Sequence, residues 1–262
     1  MSNGYYERSI TLHREKMGKW EMQSKVAITS SDDLSLAYTP GVAAVSQLIA
    51  KDKEEAYALT MKGNSVAIVS DGSAVLGLGD IGPEAALPVM EGKAILFKEF
   101  AGVEGIPIVL RTQEPEEIIQ VVKAIAPTFG GINLEDIKAP KCFDIENALQ
   151  DIGIPVFHDD QHGTAIVLLA ALINACKLVS KPLEELTVVI NGAGAAGVAI
   201  AKLLRCIGHG PEACISVKKV YLCDTKGIIS SSRQDLPPYK VKLLKYTNPD
   251  DKSGTVLDAI KD

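Results

Sequence analysis

Leu186-Thr-Val-Val-Ile-Asn-Gly-Ala-Gly-Ala-Ala-Gly197 reads as a buried strand, a glycine turn and the entry to a helix. A short, continuous apolar run rich in β-branched residues suits a strand covered on both faces. Gly192 permits the tight turn, Gly194 lets the backbone approach an anion, and Gly197 allows the helix to pack close to the strand. Helix Val198–Ile207 then offers free N–H groups and the positive end of its dipole to a pyrophosphate. The turn, with Ala195 and Ala196 inside it, is a candidate dinucleotide site. Val220-Tyr-Leu-Cys223 is the next strand and ends at Asp224, 27 residues past Gly197. An acid there is placed to hold ribose hydroxyls, while Lys226 and Arg233 could meet a 2′-phosphate, so NAD and NADP both fit. A purely structural glycine turn is the competing reading.

Upstream, the pattern alternates. Strand-like runs at Ser65–Ser70, Ile106–Leu110, Gly131–Asn133 and Ile154–Phe157 are separated by helical stretches Glu84–Phe100, Glu114–Ile125, Phe143–Leu149 and Thr164–Leu178. Repeated strand–helix units argue for a parallel sheet with helices on its faces. Before them the chain reads helical, with Ile10–Lys16, capping residues at Ser31-Asp32-Asp33, and a stretch from Pro40 to Leu59. The expected fold class is α/β: a helical N-terminal segment, a parallel-sheet catalytic domain over residues 1–163, and a partial Rossmann-type dinucleotide-binding domain over residues 164–262. Only two cofactor-sheet strands are recognisable, which predicts an exposed edge beyond Val220–Cys223.

Each strand of the first sheet delivers charge at its carboxyl end, where ligands bind in open α/β sheets. Asp71 follows the first, Arg111 the second, Glu135-Asp136 the third and His158-Asp159-Asp160 the fourth. Massed carboxylates suit a hard divalent cation with oxygen ligands, Mg²⁺ or Mn²⁺. Glu135, Asp136 and Asp160 are the candidate ligands and Asp159 their neighbour, against the bland reading of solvated loops. His158 and His162 flank the second pair and read as hydrogen-bonding groups rather than ligands. Lys93, ahead of the apolar Ala94-Ile-Leu-Phe97, is a candidate base, and Tyr38 a candidate proton donor. Taken singly, Lys93 reads more readily as a surface lysine and Tyr38 as a packed aromatic.

Composition narrows the classes. The chain has 262 residues, 47 % of them hydrophobic, with Lys+Arg 27 against Asp+Glu 33 and a net charge of −6. That balance and the lack of a basic run argue against nucleic acid or an anionic membrane as partner. Five cysteines without a C-x-x-C pattern suit reduced thiols in the cytoplasm. No signal peptide is visible, and the longest apolar stretch, Ala165–Ile173, falls below the ~20 residues of a membrane span.

Five ordered segments resemble the signatures of malic enzymes. They are Leu36-Ala-Tyr-Thr-Pro-Gly-Val-Ala43, Leu76-Gly-Leu-Gly-Asp80, Pro88-Val-Met-Glu-Gly-Lys93, Ile132-Asn-Leu-Glu-Asp136 and Phe157-His-Asp-Asp-Gln-His-Gly-Thr164. The pattern is similar to the short bacterial-type branch from about Leu12 to Gly227. The resemblance implies oxidative decarboxylation of malate to pyruvate and CO₂ with NAD(P)⁺ and a divalent metal. It implies Glu135, Asp136 and Asp160 as metal ligands, Lys93 as the alcohol base oriented by Asp159, and Tyr38 as the donor to C3. A homodimer is expected. Ala74 stands where larger members carry an arginine for the substrate carboxylate, and Arg111 where the short branch tends to be acidic. The family's later cofactor-domain asparagines have no counterpart before Asp262, so the sequence reads as truncated. Two other functions compete with this one: a metal-free hydroxy- or amino-acid dehydrogenase, and an inactive binding or dimerising fragment.

Overall fold

β1 (Ser65–Ser70) is the hub of the first sheet, because Ala67, Ile68 and Val69 are shut off from solvent on both faces. In this computed structural model, which describes residues 2–75, 77–208 and 216–261, it pairs in parallel with β2 (Glu104–Val109) on one side and β3 (Gly131–Leu134) on the other. Ala67 stands opposite Ile106 and Ile132. With β4 (Val156–His158) the order is β2-β1-β3-β4. Pro107 is tolerated because β2 is an edge strand, where a missing N–H costs no ladder bond.

The N-terminal helices are α1 (Ser2–Lys16), α2 (Ser31–Ala37), α3 (Val42–Lys51) and α4 (Glu55–Leu59). α2 starts where its capping residues predict, with the Ser30 side chain accepting from the Asp33 N–H. The single stretch expected from Pro40 to Leu59 is instead two helices, broken around Asp52. α5 (Pro83–Ala101) opens on a proline at its first turn and closes on Gly102 in the left-handed region, as helix-end chemistry favours. Its Met90 and Ala94 close over Ile68, with Trp20 and Phe97 packed alongside. Burying Ile68 and Met90 contributes about 2 kcal/mol each. α6 (Pro115–Ile125) buries the i, i+4 pair Ile118 and Val122. α7 (Lys141–Ala148) precedes β4.

α8 (Asp159–Val179) begins five residues earlier than the pattern suggested, so the second acidic pair is the helix's first turn and not a loop. Negative charge at a helix N-terminus is favoured by the dipole, which offsets Gly163 in the second turn. At 21 residues, α8 is also longer than the apolar stretch read from the sequence, and by length and composition alone it could cross a membrane. It packs against α9 (Ala195–Leu204).

The second sheet runs β5 (Thr187–Asn191), β6 (Lys219–Asp224) and β7 (Gly227–Ile228), in that order. β5 and β6 are parallel, whereas β7 is antiparallel to β6. The exposed edge expected beyond β6 is covered. β7 lies against Cys223 and Asp224, Ile229 N–H donates to Leu222 O at 2.9 Å, and Asn248 N–H donates to Val220 O at 2.7 Å. α10 (Pro238–Leu243) and α11 (Val256–Ile260) complete the elements, the latter with a Thr255–Asp258 capping box. Tyr221, Cys223, Ile228 and Ala259 form the local core.

Cys142, Cys176 and Cys223 are buried. Cys206 is disulfide-bonded, which corrects the expectation of reduced thiols throughout. Cys214 and Leu76 lie outside the described residues. By contact density the chain divides into Met1–Ile137 with Ile145–Val156, and Lys138–Asp144 with Phe157–Asp262.

Candidate active site

In the first unit, β3 ends in two buried acids, Glu135 and Asp136, at 5 % and 4 % exposure. Glu135 N–H still belongs to the ladder, donating to Val69 O at 2.9 Å. Asp136 leaves it with φ +54°, a conformation aspartate tolerates better than most residues, and its carbonyl accepts from Ala74 N–H at 3.0 Å. The Glu135 carboxylate is held from two sides. Asn133 Nδ2 donates to Oε2 at 2.8 Å, and Lys93 Nζ stands 3.1 Å from Oε1. Lys93 reaches it from α5, where its neighbour Ala94 is fully buried and its own side chain is 20 % exposed.

The structure thus joins Lys93 to Glu135. Tyr38 stands at the C-cap of α2, where its N–H donates to Leu34 O, and it is 67 % exposed. Asp71 is fully buried, with Oδ1 accepting from Ser73 N–H at 3.0 Å and Ser73 Oγ at 2.6 Å. That describes a turn-forming aspartate. Arg111 is exposed at the end of β2. Sequence reasoning missed Asn133, although an amide inside the apolar run Gly131-Ile-Asn-Leu134 was a visible anomaly.

In the second unit, His158 is fully buried at the end of β4, with Nε2 3.9 Å from Asp160 Oδ2. Asp159 explains Gly163 four residues later. A Cβ on Gly163 would lie 2.2 Å from Asp159 Oδ1, so only glycine leaves the carboxylate its place. The His162 ring tilts against Phe157 at 5.6 Å between centroids.

The glycine turn has the geometry its spacing predicts. Gly192 N–H donates to Cys223 O at 2.9 Å, Gly194 caps α9, and Ala195 and Ala196 open its first turn. A Cβ on Gly197 would meet Gly192 O at 1.8 Å, an approach no other residue permits. Tyr239 Oη donates to Ala193 O at 3.4 Å, fastening the start of α10 to this turn.

Asp224 at the end of β6 is occupied. Arg233 donates to both of its oxygens, at 2.8 and 3.1 Å, and Lys240 Nζ donates to Oδ2 at 2.6 Å. Burial pushes this carboxyl up, but hydrogen bonds from Arg233 and Lys240 outweigh it and hold the group well below the usual carboxylate range. Arg233 and Lys226 also bind Asp235, so both cations considered for a 2′-phosphate are engaged within the chain.

Family comparison decides the identity. The profile "Malic enzyme, N-terminal domain" matches residues 17–115 and 111–150, and "Malic enzyme, NAD binding domain" matches residues 161–261. The NAD-dependent malic enzyme of Geobacillus stearothermophilus is 56 % identical over 244 residues, covering 93 % of this chain and 49 % of that protein. The chain belongs to the malic enzyme family.

The bifunctional malic/malolactic enzyme of Bacillus subtilis is 53 % identical over 98 % of this malic enzyme chain and 61 % of its own length. Among solved structures, the NAD-dependent malic enzyme of Thermotoga maritima superposes with a TM-score of 0.89 at 49 % identity, covering 95 % of this chain and 65 % of that one. The malic enzyme of Pyrococcus horikoshii gives 0.90 at 48 %, covering 98 % and 60 %. The chain therefore spans about half to two-thirds of the length of these relatives. Asp159 and Asp160 fall in the short gap between the matched malic enzyme domains, immediately before residue 161.

Proposed function

We propose that this chain carries the malate-oxidising chemistry of its family: oxidative decarboxylation of malate to pyruvate and CO₂, with reduction of NAD⁺ or NADP⁺. The observation that carries the reading is the pairing of half-buried Lys93 with buried Glu135 beside Asp136, at the carboxyl end of a central parallel strand. Glu135, Asp136 and Asp160 are assigned as the carboxylates that hold one Mg²⁺ or Mn²⁺. Their donor chemistry fits such an ion, being oxygen only and anionic. When bound, the ion supplies a Lewis acid that polarises substrate oxygens.

The remaining work falls to the chain's own groups. Lys93 accepts the C2 hydroxyl proton as hydride leaves C2 for the nicotinamide, and Asp159 is assigned to orient it. Loss of CO₂ then breaks the C3–carboxylate bond and leaves the enol form of pyruvate. Tyr38 donates a proton to C3 to finish. The turn Gly192, Gly194, Ala195, Ala196 and Gly197 cradles the pyrophosphate, with Asp224 beside the adenosine ribose. Residues 1–163 supply the catalytic and metal part and residues 164–262 the dinucleotide part.

Lys93→Ala tests the central role. Malate-dependent NAD(P)⁺ reduction should be lost, while metal-dependent decarboxylation of added oxaloacetate, which needs no alcohol base, survives in large part. Equal loss of both reactions with Mn²⁺ binding intact would overturn the base assignment.

A further inference from the structure

The catalytic reading uses the carboxyl edge of the first sheet and leaves the amino edge idle. A cavity of about 530 Å³ lies there, within the ~300–1,000 Å³ typical of small-molecule sites. Its walls are the segments that feed the strands. Lys62 stands three residues before β1 and Ile154 two residues before β4, while Lys123 lies in the last turn of α6. Lys53 and Tyr57 close it from the region of α4.

Three ammonium groups from three separate segments therefore face one concavity. Lys62 is fixed in place, with Nζ donating to Phe129 O at 2.6 Å and Ala126 O at 3.3 Å and lying 4.9 Å from the Tyr57 ring centroid. An ammonium has three donors, so one remains for a ligand. Lys53 and Lys123 form no ion pair among the described residues, unlike Lys98, Lys219, Lys226 and Lys240, each of which meets an acid. Two carboxylates, Glu54 and Asp151, also line the cavity, which leaves three positive charges against two. Glu54 and Asp151 do not neutralise Lys53 and Lys123 by direct contact.

We infer that this cavity binds a small dianion, a phosphate or a dicarboxylate, through Lys53, Lys62 and Lys123. The site is separate from the proposed catalytic centre. β3 alone puts four residues, roughly 13 Å of extended chain, between the amino edge and Glu135. An occupant would tie together the segments entering β1, β3 and β4, the strands whose far ends carry the catalytic acids.

The test is an amide NMR titration of the whole chain with inorganic phosphate in one arm and succinate in the other, read at Lys53, Tyr57 and Gly153. Saturable shifts are expected in at least one arm, and the arm that saturates identifies the anion. In the double variant Lys53→Ala/Lys123→Ala, whose spectrum shows directly whether it is folded, the midpoint should rise about tenfold. Shifts that stay linear in both arms, or a midpoint unchanged in the double variant, would overturn the site.

Discussion

β3 ends in buried acid and β6 in a half-buried one, and the two strand ends handle that charge in opposite ways. At β6 a single carboxylate, Asp224, meets two cations supplied by the loop and helix that follow, Arg233 and Lys240. At β3 two carboxylates stand side by side, and Lys93 reaches the first of them from a different element, α5. The first arrangement closes on itself and holds a loop in place. The second gathers negative charge at the edge where open α/β sheets bind ligands. An acid at a strand end is thus not by itself a metal-binding signal. What matters is whether the same stretch of chain brings its own counter-charges.

Substitutions can break this comparison, and the largest effect is expected at the glycine turn of the second region. Gly197→Ala places a methyl group within 1.8 Å of Gly192 O and should cost about 4 kcal/mol there. Hydrogen exchange should rise across β5 and β6, while the fluorescence of Trp20, in the first unit, stays unchanged. Asp224→Ala comes next. It takes the acid from Lys240 and leaves Arg233 only Asp235, and urea unfolding should show a loss of about 2 kcal/mol. Glu135→Gln sharpens the contrast, since the amide oxygen can still accept from Lys93, the Asn133 amide can turn so that its oxygen accepts from the new NH2, and one of two adjacent charges is gone. Its cost without metal should stay within about 1 kcal/mol. Equal costs for the two variants would erase the distinction.

The smallest effect is in pH. Asp224 and Asp235 are both held below the usual carboxylate range, Asp224 by Arg233 and Lys240 against burial, Asp235 by Arg233 and Lys226. A carboxyl whose folded pKa is depressed contributes its stability above the unfolded value and loses it as pH falls toward the folded one. Protection of the second region should therefore decline as pH drops below about 4. The decline should be shallower in Asp224→Asn, as read by exchange at β6.

Much of this was legible in the residues. Ser65–Ser70 is β1 residue for residue, because a fully buried strand writes itself as an unbroken apolar run. The glycine spacing was legible because Gly197 answers a backbone contact that no side chain could satisfy. The start of α8 was read five residues late, at Thr164, since Gly163 masks a helix start that the dipole favours. The cover over β6 was hidden because Ile229 and Asn248 supply single backbone bonds, which leave no periodic pattern. The ties on Asp224 were invisible for a related reason. Lys240 lies sixteen residues downstream, and nothing in local sequence announces a contact made by a loop that folds back.

Mn²⁺ titration of the purified chain tests the central claim most directly, with Asp136→Asn, Asp160→Asn and Asp224→Asn as the three variants. The account predicts one Mn²⁺ site, weakened at least about tenfold by either of the first two substitutions and untouched by the third. Equal Mn²⁺ affinity in all four proteins would contradict it.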